Sequence, residues 1–134
     1  MKGRIFLDSN ILLYCYAQDE PIKQKMALDV AQQPLTVVST QVLKEVTNIL
    51  KRKVGLSWTL IEQIIDEIVL NNELHSVHLS TLRKAIFIAN RYQLQWFDSI
   101  IIASALEANC TYLLSEDLQH GLKIETLHIQ NPFR

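Results

Sequence analysis

The sequence predicts an α/β fold of three layers, in which helices cover both faces of a central, mainly parallel sheet of four to five strands. Short apolar runs alternate along the chain with longer segments of helical periodicity, which is the pattern of strand–helix–strand units. Runs such as Ile5–Leu7 contain no polar residue, and this is typical of strands that are buried on both faces. Right-handed crossovers between such strands build a parallel sheet, so we expect residues 1–134 to form a single domain.

The composition indicates a folded protein and limits how it binds its partners. Of the 134 residues, 49% are hydrophobic and 20% are charged, which is enough apolar material for a buried core. The net charge of −1 excludes a surface that is basic throughout, but it allows local basic patches. The sequence shows neither a membrane span nor a signal peptide, and we expect a cytoplasmic protein. Cys15 and Cys110 lie in apolar segments without the spacing of metal ligands, so we expect buried thiols.

Local features predict the order of the elements. Pro21 suits the first turn of a helix, Ser57 suits a helix N-cap, and Gly55 and Asn109 suit helix ends. Residues 75–79 alternate between apolar and polar side chains, as a half-buried strand does. The expected order is strand 5–7, helix 11–16, helix 19–32, strand 35–38, helix 40–54, a helix that begins after Ser57, strand 75–79, helix 80–92, helix 100–106, and strands 111–114 and 126–129.

The first candidate for chemistry is Asp8, which directly follows the strand 5–7 and is itself followed by Ser9 and Asn10. Ligands of open parallel sheets bind at the carboxyl ends of the strands, so a carboxylate at this place is positioned for chemistry. The same three residues also suit the N-cap of the next helix, and this structural role explains Asp8 better when the residue is considered alone. The functional interpretation therefore requires other acids at the same edge of the sheet.

Three other acids are expected at that edge. Glu45 lies on the apolar face of its helix, where a charged side chain needs a reason. Asp98 stands at the front of the helix 100–106, where it also suits an N-cap. Asp117 follows the strand 111–114, after Ser115 and Glu116, much as Asp8 follows the first strand.

A cluster of these acids predicts a bound metal ion. Two carboxylates about 4 Å apart repel each other by roughly 1 kcal/mol in water and about 4 kcal/mol in a surface cleft, so a cluster needs a cation or a raised pKa. A site of oxygen ligands without His or Cys favours Mg²⁺, with Mn²⁺ as a substitute. We expect the neighbouring side chains to orient these ligands; they are Ser9, Asn10, Ser115 and Glu116.

The four acidic motifs together resemble the PIN domain family, and in particular the VapC-like ribonuclease toxins of toxin–antitoxin pairs. The matching segments are Ile-Phe-Leu-Asp8-Ser-Asn-Ile-Leu-Leu-Tyr, Thr40-Gln-Val-Leu-Lys-Glu45, Phe97-Asp98-Ser-Ile-Ile-Ile-Ala-Ser-Ala-Leu and Leu114-Ser-Glu-Asp117. The ending Asn131-Pro132-Phe133 resembles one branch of these proteins. Ser115 stands where the family often has Thr, and Glu116 is an additional acid.

The resemblance implies a Mg²⁺- or Mn²⁺-dependent endoribonuclease that hydrolyses RNA phosphodiesters with a metal-activated water. By this resemblance, Asp8, Glu45, Asp98 and Asp117 are both the catalytic residues and the metal ligands. The resemblance also implies a homodimer and a small antitoxin protein as partner. Candidate RNA contacts are the aromatic residue beside Asp98 and the basic residues near Glu45, namely Trp96, Lys44, Lys51 and Arg52, although each also suits an ordinary surface or core role.

Three alternatives are consistent with parts of the sequence. A related nuclease could process RNA without an antitoxin. Phosphoryl transfer through an aspartyl phosphate needs a second acid close to the nucleophile, and Asn10 stands where one class of phosphatases has that acid. A non-catalytic interaction module, in which the acids only cap helices, explains Asp8 and Asp98 but gives no reason for Glu45.

Overall fold

The computed structural model describes all 134 residues and has a central sheet of six strands. The strands are β1 (Ile5–Leu7), β2 (Thr36–Ser39), β3 (Glu73–His75), β4 (Tyr112–Leu114), β5 (Lys123–Ile124) and β6 (Leu127–Gln130). Their order across the sheet is β3-β2-β1-β4-β6-β5, and every pair is parallel except β5 with β6. The expected α/β fold with a mainly parallel sheet is confirmed, with one strand more than the upper limit predicted.

Six helices flank the sheet. They are α1 (Ser9–Cys15), α2 (Pro21–Ala31), α3 (Thr40–Ile49), α4 (Trp58–Asn71), α5 (Leu79–Tyr92) and α6 (Trp96–Glu107). A π-helical turn, Leu50–Val54, extends α3 as far as Gly55, whose left-handed conformation (φ 78°) ends the helix as the sequence predicts. No helix combines the length and the apolar character that are needed to span a membrane.

The chain reverses the direction of strand addition at β1. After β1 the chain builds β2 and β3 on one side, and it later returns to place β4 on the other side of β1. The crevice between β1 and β4, at their carboxyl ends, is therefore the topological switch point at which open α/β sheets bind ligands. The strand residues that end at this crevice are buried, so the crevice has a rigid floor.

The predicted strand 75–79 is wrong in its position. The strand β3 occupies Glu73–His75, and Leu79 begins α5 with 64% of its surface exposed. His78 is an exposed residue that precedes this helix, where its backbone N–H donates to Thr81 Oγ1 at 3.0 Å. The alternation of residues 75–79 is typical of a strand. The residues that pair with β2, however, are Glu73–His75, so the strand ends where the prediction has it begin.

The start of α6 and the strand β5 also differ from the prediction. Helix α6 begins at Trp96 rather than at residue 100, and its N-cap is Gln95. Strand β5 was not predicted, because two residues carry no periodicity; its position becomes clear only through its antiparallel pairing with β6.

The cysteines are structural. Cys110 is buried and Cys15 is half-buried, and both are free thiols. Burial raises the pKa of each thiol to about 11, so that neither is a thiolate at neutral pH.

Candidate active site

The register of the sheet brings Asp8 beside Ser115. Leu7 of β1 pairs with Leu114 of β4, and the next residue of each strand therefore stands at the same level of the crevice. The backbone N–H of Asp8 donates to the Leu114 carbonyl at 3.1 Å, and Ser115 Oγ donates to Asp8 Oδ2 at 2.8 Å. Two segments that are more than one hundred residues apart in the sequence thus form the centre of the site.

Asp8 is both a helix cap and a buried acid. Its Oδ1 accepts a hydrogen bond from the Ser9 backbone N–H at 2.7 Å and so caps α1, as the structural alternative predicted. The residue is only 6% exposed. Burial raises the pKa of Asp8 to about 6, against the lowering effect of the hydrogen bonds from Ser115 and Ser9, and the charges of Glu45 and Asp117 raise it further. Capping and chemistry are therefore not exclusive at this position.

Glu45 is joined to Asp8 through Ser9. The Ser9 hydroxyl donates to Glu45 Oε2 at 2.9 Å, and Gln41 Nε2, one turn earlier on α3, lies 3.5 Å from Glu45 Oε1. The carboxylate is half-buried on the face of α3 that also carries the fully buried Val42. This location explains the acid on the apolar face, because the carboxylate faces the end of β1.

Asp117 is joined to Asp8 through Ser115 and Asn10. Asn10 Nδ2 donates to Asp117 Oδ2 at 3.1 Å and lies 3.4 Å from Ser115 Oγ. The Asp117 backbone N–H donates to Ser115 Oγ at 3.1 Å. Asp117 itself is exposed, so its carboxylate forms the outer rim of the crevice.

Asp98 lies in the first turn of α6, half-buried and close enough to Asp117 to respond to its charge. Burial raises the pKa of Asp98, and the negative charge of Asp117 raises it further. The N-cap alternative does not apply to Asp98, since Gln95 holds the N-cap position. Hydrogen bonds through Ser9, Asn10 and Ser115 therefore link Asp8, Glu45 and Asp117, whereas Asp98 makes no hydrogen bond to them and is related to the cluster only through the charge of Asp117.

The donor set fits a hard divalent cation. As the side chains stand, no group of three or more Asp, Glu, His or Cys residues is positioned to hold a metal ion. Mg²⁺ does not require one, because it is usually held by one or two carboxylates and keeps several waters. The raised pKa values of Asp8 and Asp98 show that negative charge is costly in this crevice, and a cation would remove that cost.

Glu116 has a structural environment of its own. Its carboxylate forms a salt bridge of 2.7 Å with Lys23 Nζ and accepts a hydrogen bond of 2.7 Å from the Tyr14 hydroxyl. Burial favours a higher pKa, but the hydrogen bonds from Lys23 and Tyr14 outweigh it and hold the pKa of Glu116 below its usual range. The Tyr14 ring packs edge-on against Phe133 at 5.0 Å, so the C-terminal Asn-Pro-Phe segment joins the same cluster. The Glu116 backbone N–H donates to Asn10 Oδ1, and the cluster therefore holds the segment before Asp117 in place.

The predicted RNA contacts occupy two places. Trp96 begins α6, 40% exposed, two residues before Asp98. Lys44, Lys51 and Arg52 line a cavity on α3 and the π-helical turn, together with Trp58, which was not among the predicted contacts. Trp58 lies seven residues after Lys51, and an aromatic residue close to a basic run is the feature from which it could have been identified.

Fold and site together define a class of protein, namely an α/β domain with an acidic cluster at the switch point of a parallel sheet. The chain belongs to the PIN domain family, because the model of that family matches residues 5–121. This range includes all four acids of the cluster. No curated protein sequence matches the chain significantly.

Solved structures share this fold. A toxin–antitoxin complex from Klebsiella pneumoniae is 20% identical, with a TM-score of 0.70 over 96% of this chain and 97% of that chain. VapBC-1 from nontypeable Haemophilus influenzae is 22% identical, with a TM-score of 0.63 over 97% of this chain and 98% of that one. VapC20 of Mycobacterium tuberculosis, a sarcin-ricin loop cleaving toxin, is 14% identical, with a TM-score of 0.64 over 81% of this chain and 86% of that one.

Proposed function

We propose that this PIN domain is a Mg²⁺- or Mn²⁺-dependent endoribonuclease and the toxin of a toxin–antitoxin pair. The proposal is supported by the hydrogen bonds that link Asp8, Glu45 and Asp117, three acids from separate segments, at one edge of the sheet, and by the effect of the Asp117 charge on Asp98. RNA as the substrate is supported by the similarity of the fold to VapC20, which is described as cleaving the sarcin-ricin loop.

In this proposal the four carboxylates would hold the metal ion. A bound Mg²⁺ lowers the pKa of a water molecule and neutralises the charge that develops on a phosphodiester. The chain contributes the orientation of the carboxylates: Ser115 directs Asp8, and Ser9 directs Glu45. Asn10 directs Asp117 and is itself held by the Glu116 backbone N–H. Such supporting hydrogen bonds keep metal ligands in one geometry.

The other interpretations explain less. An interaction module with acids that only cap helices accounts for Asp8, but Asp98 is not a cap and Glu45 is bonded to Ser9 in the crevice. Aspartyl-phosphate chemistry is a property of other fold families, whereas this chain belongs to the PIN domain family. A housekeeping RNA-processing nuclease remains the second candidate, and the presence of an antitoxin distinguishes it from a toxin.

We expect Glu45→Gln to lower the rate of RNA cleavage in Mg²⁺ by at least about 100-fold, the upper end of the loss seen when a supporting group of a metal site is removed. Gln retains an oxygen that accepts from Ser9, so the fold should be preserved. Glu62→Gln is the matched control, because Glu62 is an exposed acid on α4 whose charge is not among those that shift the pKa of Asp8 or Asp98. Cleavage of a labelled RNA, with and without EDTA, measures the effect. Equal rates for Glu45→Gln and the wild type would contradict the proposal.

An apolar groove beside the site supports the proposed antitoxin partner. It has a volume of about 1030 Å³, and 10 of its 17 lining residues are hydrophobic. It begins at Asn10 and continues along the π-helical turn and α4, where Val54 and Leu60 are 58% and 42% exposed. Exposed apolar surface of this kind marks protein-binding sites. Several structures with this fold are toxin–antitoxin complexes, so we propose that an apolar segment of the antitoxin occupies the groove.

We expect Leu60→Glu to prevent the protein encoded beside this gene from co-purifying with the nuclease, because the substitution places a charge in the apolar groove. Leu70→Glu is the control, since Leu70 lies on the same helix, is 85% exposed and does not line the groove. Co-expression followed by affinity purification measures the complex. If both variants retain the neighbouring protein equally, the groove is not the docking surface. If no small protein is encoded there, the housekeeping alternative gains support.

Exposed apolar side chains on α5 and α6 support the expected homodimer. Helices α5 and α6, which pack on each other, expose Ile86, Phe87 and Phe97, with 60%, 53% and 59% of their surface accessible. Homodimer interfaces are more apolar than the remaining surface of a protein. A solution mass twice that of one chain would support this assignment.

A further inference from the structure

The surface of α3 beyond Glu45 carries a second concave feature, which we call the basic groove. It is lined mainly by Lys44, Thr47, Asn48, Lys51, Arg52 and Trp58. Its volume of about 510 Å³ is in the range of ligand-binding pockets. No acidic residue lines it, although the chain as a whole has a net charge of −1. The groove is therefore a local concentration of positive charge in an otherwise slightly acidic protein.

The cations of the basic groove are not neutralised by the protein. The four salt bridges of the chain all lie elsewhere, so Lys44, Lys51 and Arg52 have no acidic partner. Unpaired cations that share one groove attract a polyanion, and phosphate groups are suitable partners for both Lys and Arg.

Trp58 adds an aromatic surface to these charges. It is 62% exposed, an unusual state for a large apolar ring, although it stands at the start of α4. Lys51 Nζ lies 4.8 Å from the centre of the indole ring and donates to the Leu56 carbonyl at 3.1 Å. The ammonium group thus lies over one face of the indole ring, so that a nucleobase would stack on the opposite face.

The basic groove and Glu45 of the acidic site lie on the same helical segment. Lys51 follows Glu45 by six residues, which at 1.5 Å per residue is about 9 Å along the helix, or roughly three nucleotides at the 3.4 Å spacing of stacked bases. Six residues also turn Lys51 by about 120° around the helix relative to Glu45, so a short single strand whose phosphodiester lies at the acids would reach the basic groove by curving around α3. Phosphates would contact Lys44 and Arg52, and a base would stack on Trp58.

We propose that the basic groove is a binding site for single-stranded RNA, which holds the nucleotides that flank the scissile phosphodiester. This inference rests on the proposed nuclease function for its biological meaning, but binding can be measured without cleavage. An acidic protein segment is the competing occupant, because it would satisfy the same cations; it would not require an exposed indole ring for stacking.

The test uses the full chain in EDTA and a fluorescein-labelled ten-nucleotide oligouridine, with binding followed by fluorescence anisotropy. We expect Trp58→Ala to weaken binding about 10-fold or more, and Trp58→Phe to restore most of the affinity, because a single stacked base contributes a free energy in this range. Trp58 is exposed, so neither change should unfold the protein; a thermal melt checks this. In a Trp96→Phe background Trp58 is the only tryptophan, and its fluorescence should be quenched by the RNA.

The charges are tested by a matched pair of double variants. Lys44→Gln with Arg52→Gln should weaken binding and lower the slope of log affinity against log salt by about 0.7 for each phosphate that is no longer bound. Arg83→Gln with Arg91→Gln removes two exposed cations of α5, outside the groove, and should leave the slope unchanged. Polyglutamate serves as the acidic competitor.

The outcomes separate this inference from the nuclease proposal. If Trp58→Ala and the Lys44/Arg52 variant bind the oligonucleotide like the wild type, the basic groove is not an RNA site. The same conclusion follows if polyglutamate displaces the oligonucleotide equally well from the wild type and from Trp58→Ala. Neither conclusion depends on whether the protein cleaves RNA. If binding depends on Trp58 and on both cations but no RNA is cleaved in Mg²⁺, the binding site stands and the nuclease proposal fails.

Discussion

Replacing Asp8 with Asn is expected to abolish RNA cleavage and at the same time to make the metal-free protein more stable. Activity should fall by more than about 100-fold, because the proposed function makes Asp8 a metal ligand and a ligand has a larger effect than the supporting groups around it. The stability effect follows from burial. Asp8 is 6% exposed, and its pKa is raised from 3.8 to about 6, so the ionised carboxylate costs up to about 3 kcal/mol at neutral pH.

Asn removes this charge and retains the helix cap. Asn is as good an N-cap as Asp, so the hydrogen bond from the Ser9 backbone N–H can persist. The new amide faces Ser115 Oγ, which already accepts from the backbone N–H groups of Asp117 and Leu118, so the hydrogen bond between residue 8 and Ser115 is weakened. We expect part of the cost to be recovered, about 1–2 kcal/mol, which corresponds to a rise in Tm of about 3–8 °C for a domain of this size.

The stability difference between Asp8→Asn and the wild type should depend on pH. A carboxyl group whose pKa is raised in the folded state contributes stability below its unfolded pKa, here 3.8, and loses that contribution as the pH rises through about 6. The advantage of Asp8→Asn over the wild type should therefore be largest above pH 7 and should vanish near pH 4. Urea unfolding of both proteins in EDTA across this range measures the difference. A variant that is less stable than the wild type at pH 7.5 would contradict the buried charge.

Mg²⁺ should reverse the order of stability. A cation that binds the folded wild type stabilises it by mass action, whereas Asp8→Asn should gain little from the same concentration. The two proteins are therefore expected to exchange places when EDTA is replaced by saturating Mg²⁺. An Asp8→Asn protein that cleaves RNA at the wild-type rate would reject the nuclease proposal.

Ser115→Ala is expected to impair both activity and stability, because one hydroxyl serves several parts of the site. Ser115 Oγ donates to Asp8 Oδ2 and accepts from the backbone N–H groups of Asp117 and Leu118 at 3.1 and 3.3 Å. Its removal should lower kcat/KM about 10- to 100-fold through misplaced carboxylates. It should also lower the free energy of unfolding by about 1–3 kcal/mol, because buried polar groups lose their partner.

The pH profile distinguishes positioning from a general loss of stability. The Ser115 hydrogen bond lowers the pKa of Asp8, so Ser115→Ala should raise that pKa further and shift the acidic limb of the kcat/KM profile to higher pH. Ser115→Thr keeps the hydroxyl and should restore both rate and profile. Ser104→Ala is the control: Ser104 is equally buried, but its hydroxyl donates to the Ile100 carbonyl and touches no acid. An unshifted limb in Ser115→Ala would show that the serine does not act through Asp8.

Local sequence patterns predicted most of the fold, because the ends of most helices are set by residues that lie next to them in the chain. Gly55 ends the α3 segment with a positive φ, Ser57 caps α4, and Asn109 adopts the left-handed conformation beyond α6. The failures have a different cause. The alternation of residues 75–79 and the two-residue strand β5 depend on pairing with β2 and β6, which no short window of sequence contains.

The same distinction applies to the site. The order of residues indicated which acids were candidates, since Asp8 and Asp117 follow strands and Glu45 interrupts an apolar face. It did not show what Glu116 does, because its partner Lys23 is 93 residues away in the chain. It placed Trp58 close to a basic run, but the exposure of Trp58 and the position of Lys51 over its ring exist only in the folded molecule.

The amino-acid sequence by itself determined the class of the fold, the family and the identity of the candidate acids, because apolar periodicity and residue order are properties of the chain. Only the tertiary structure decided that Asp8 is a cap and a buried acid at once, and that Ser9, Asn10 and Ser115 connect the carboxylates. The physical reason is that burial, pKa and hydrogen bonding depend on distances between groups. Those distances are set when β1 and β4 pair and bring the two ends of the chain together.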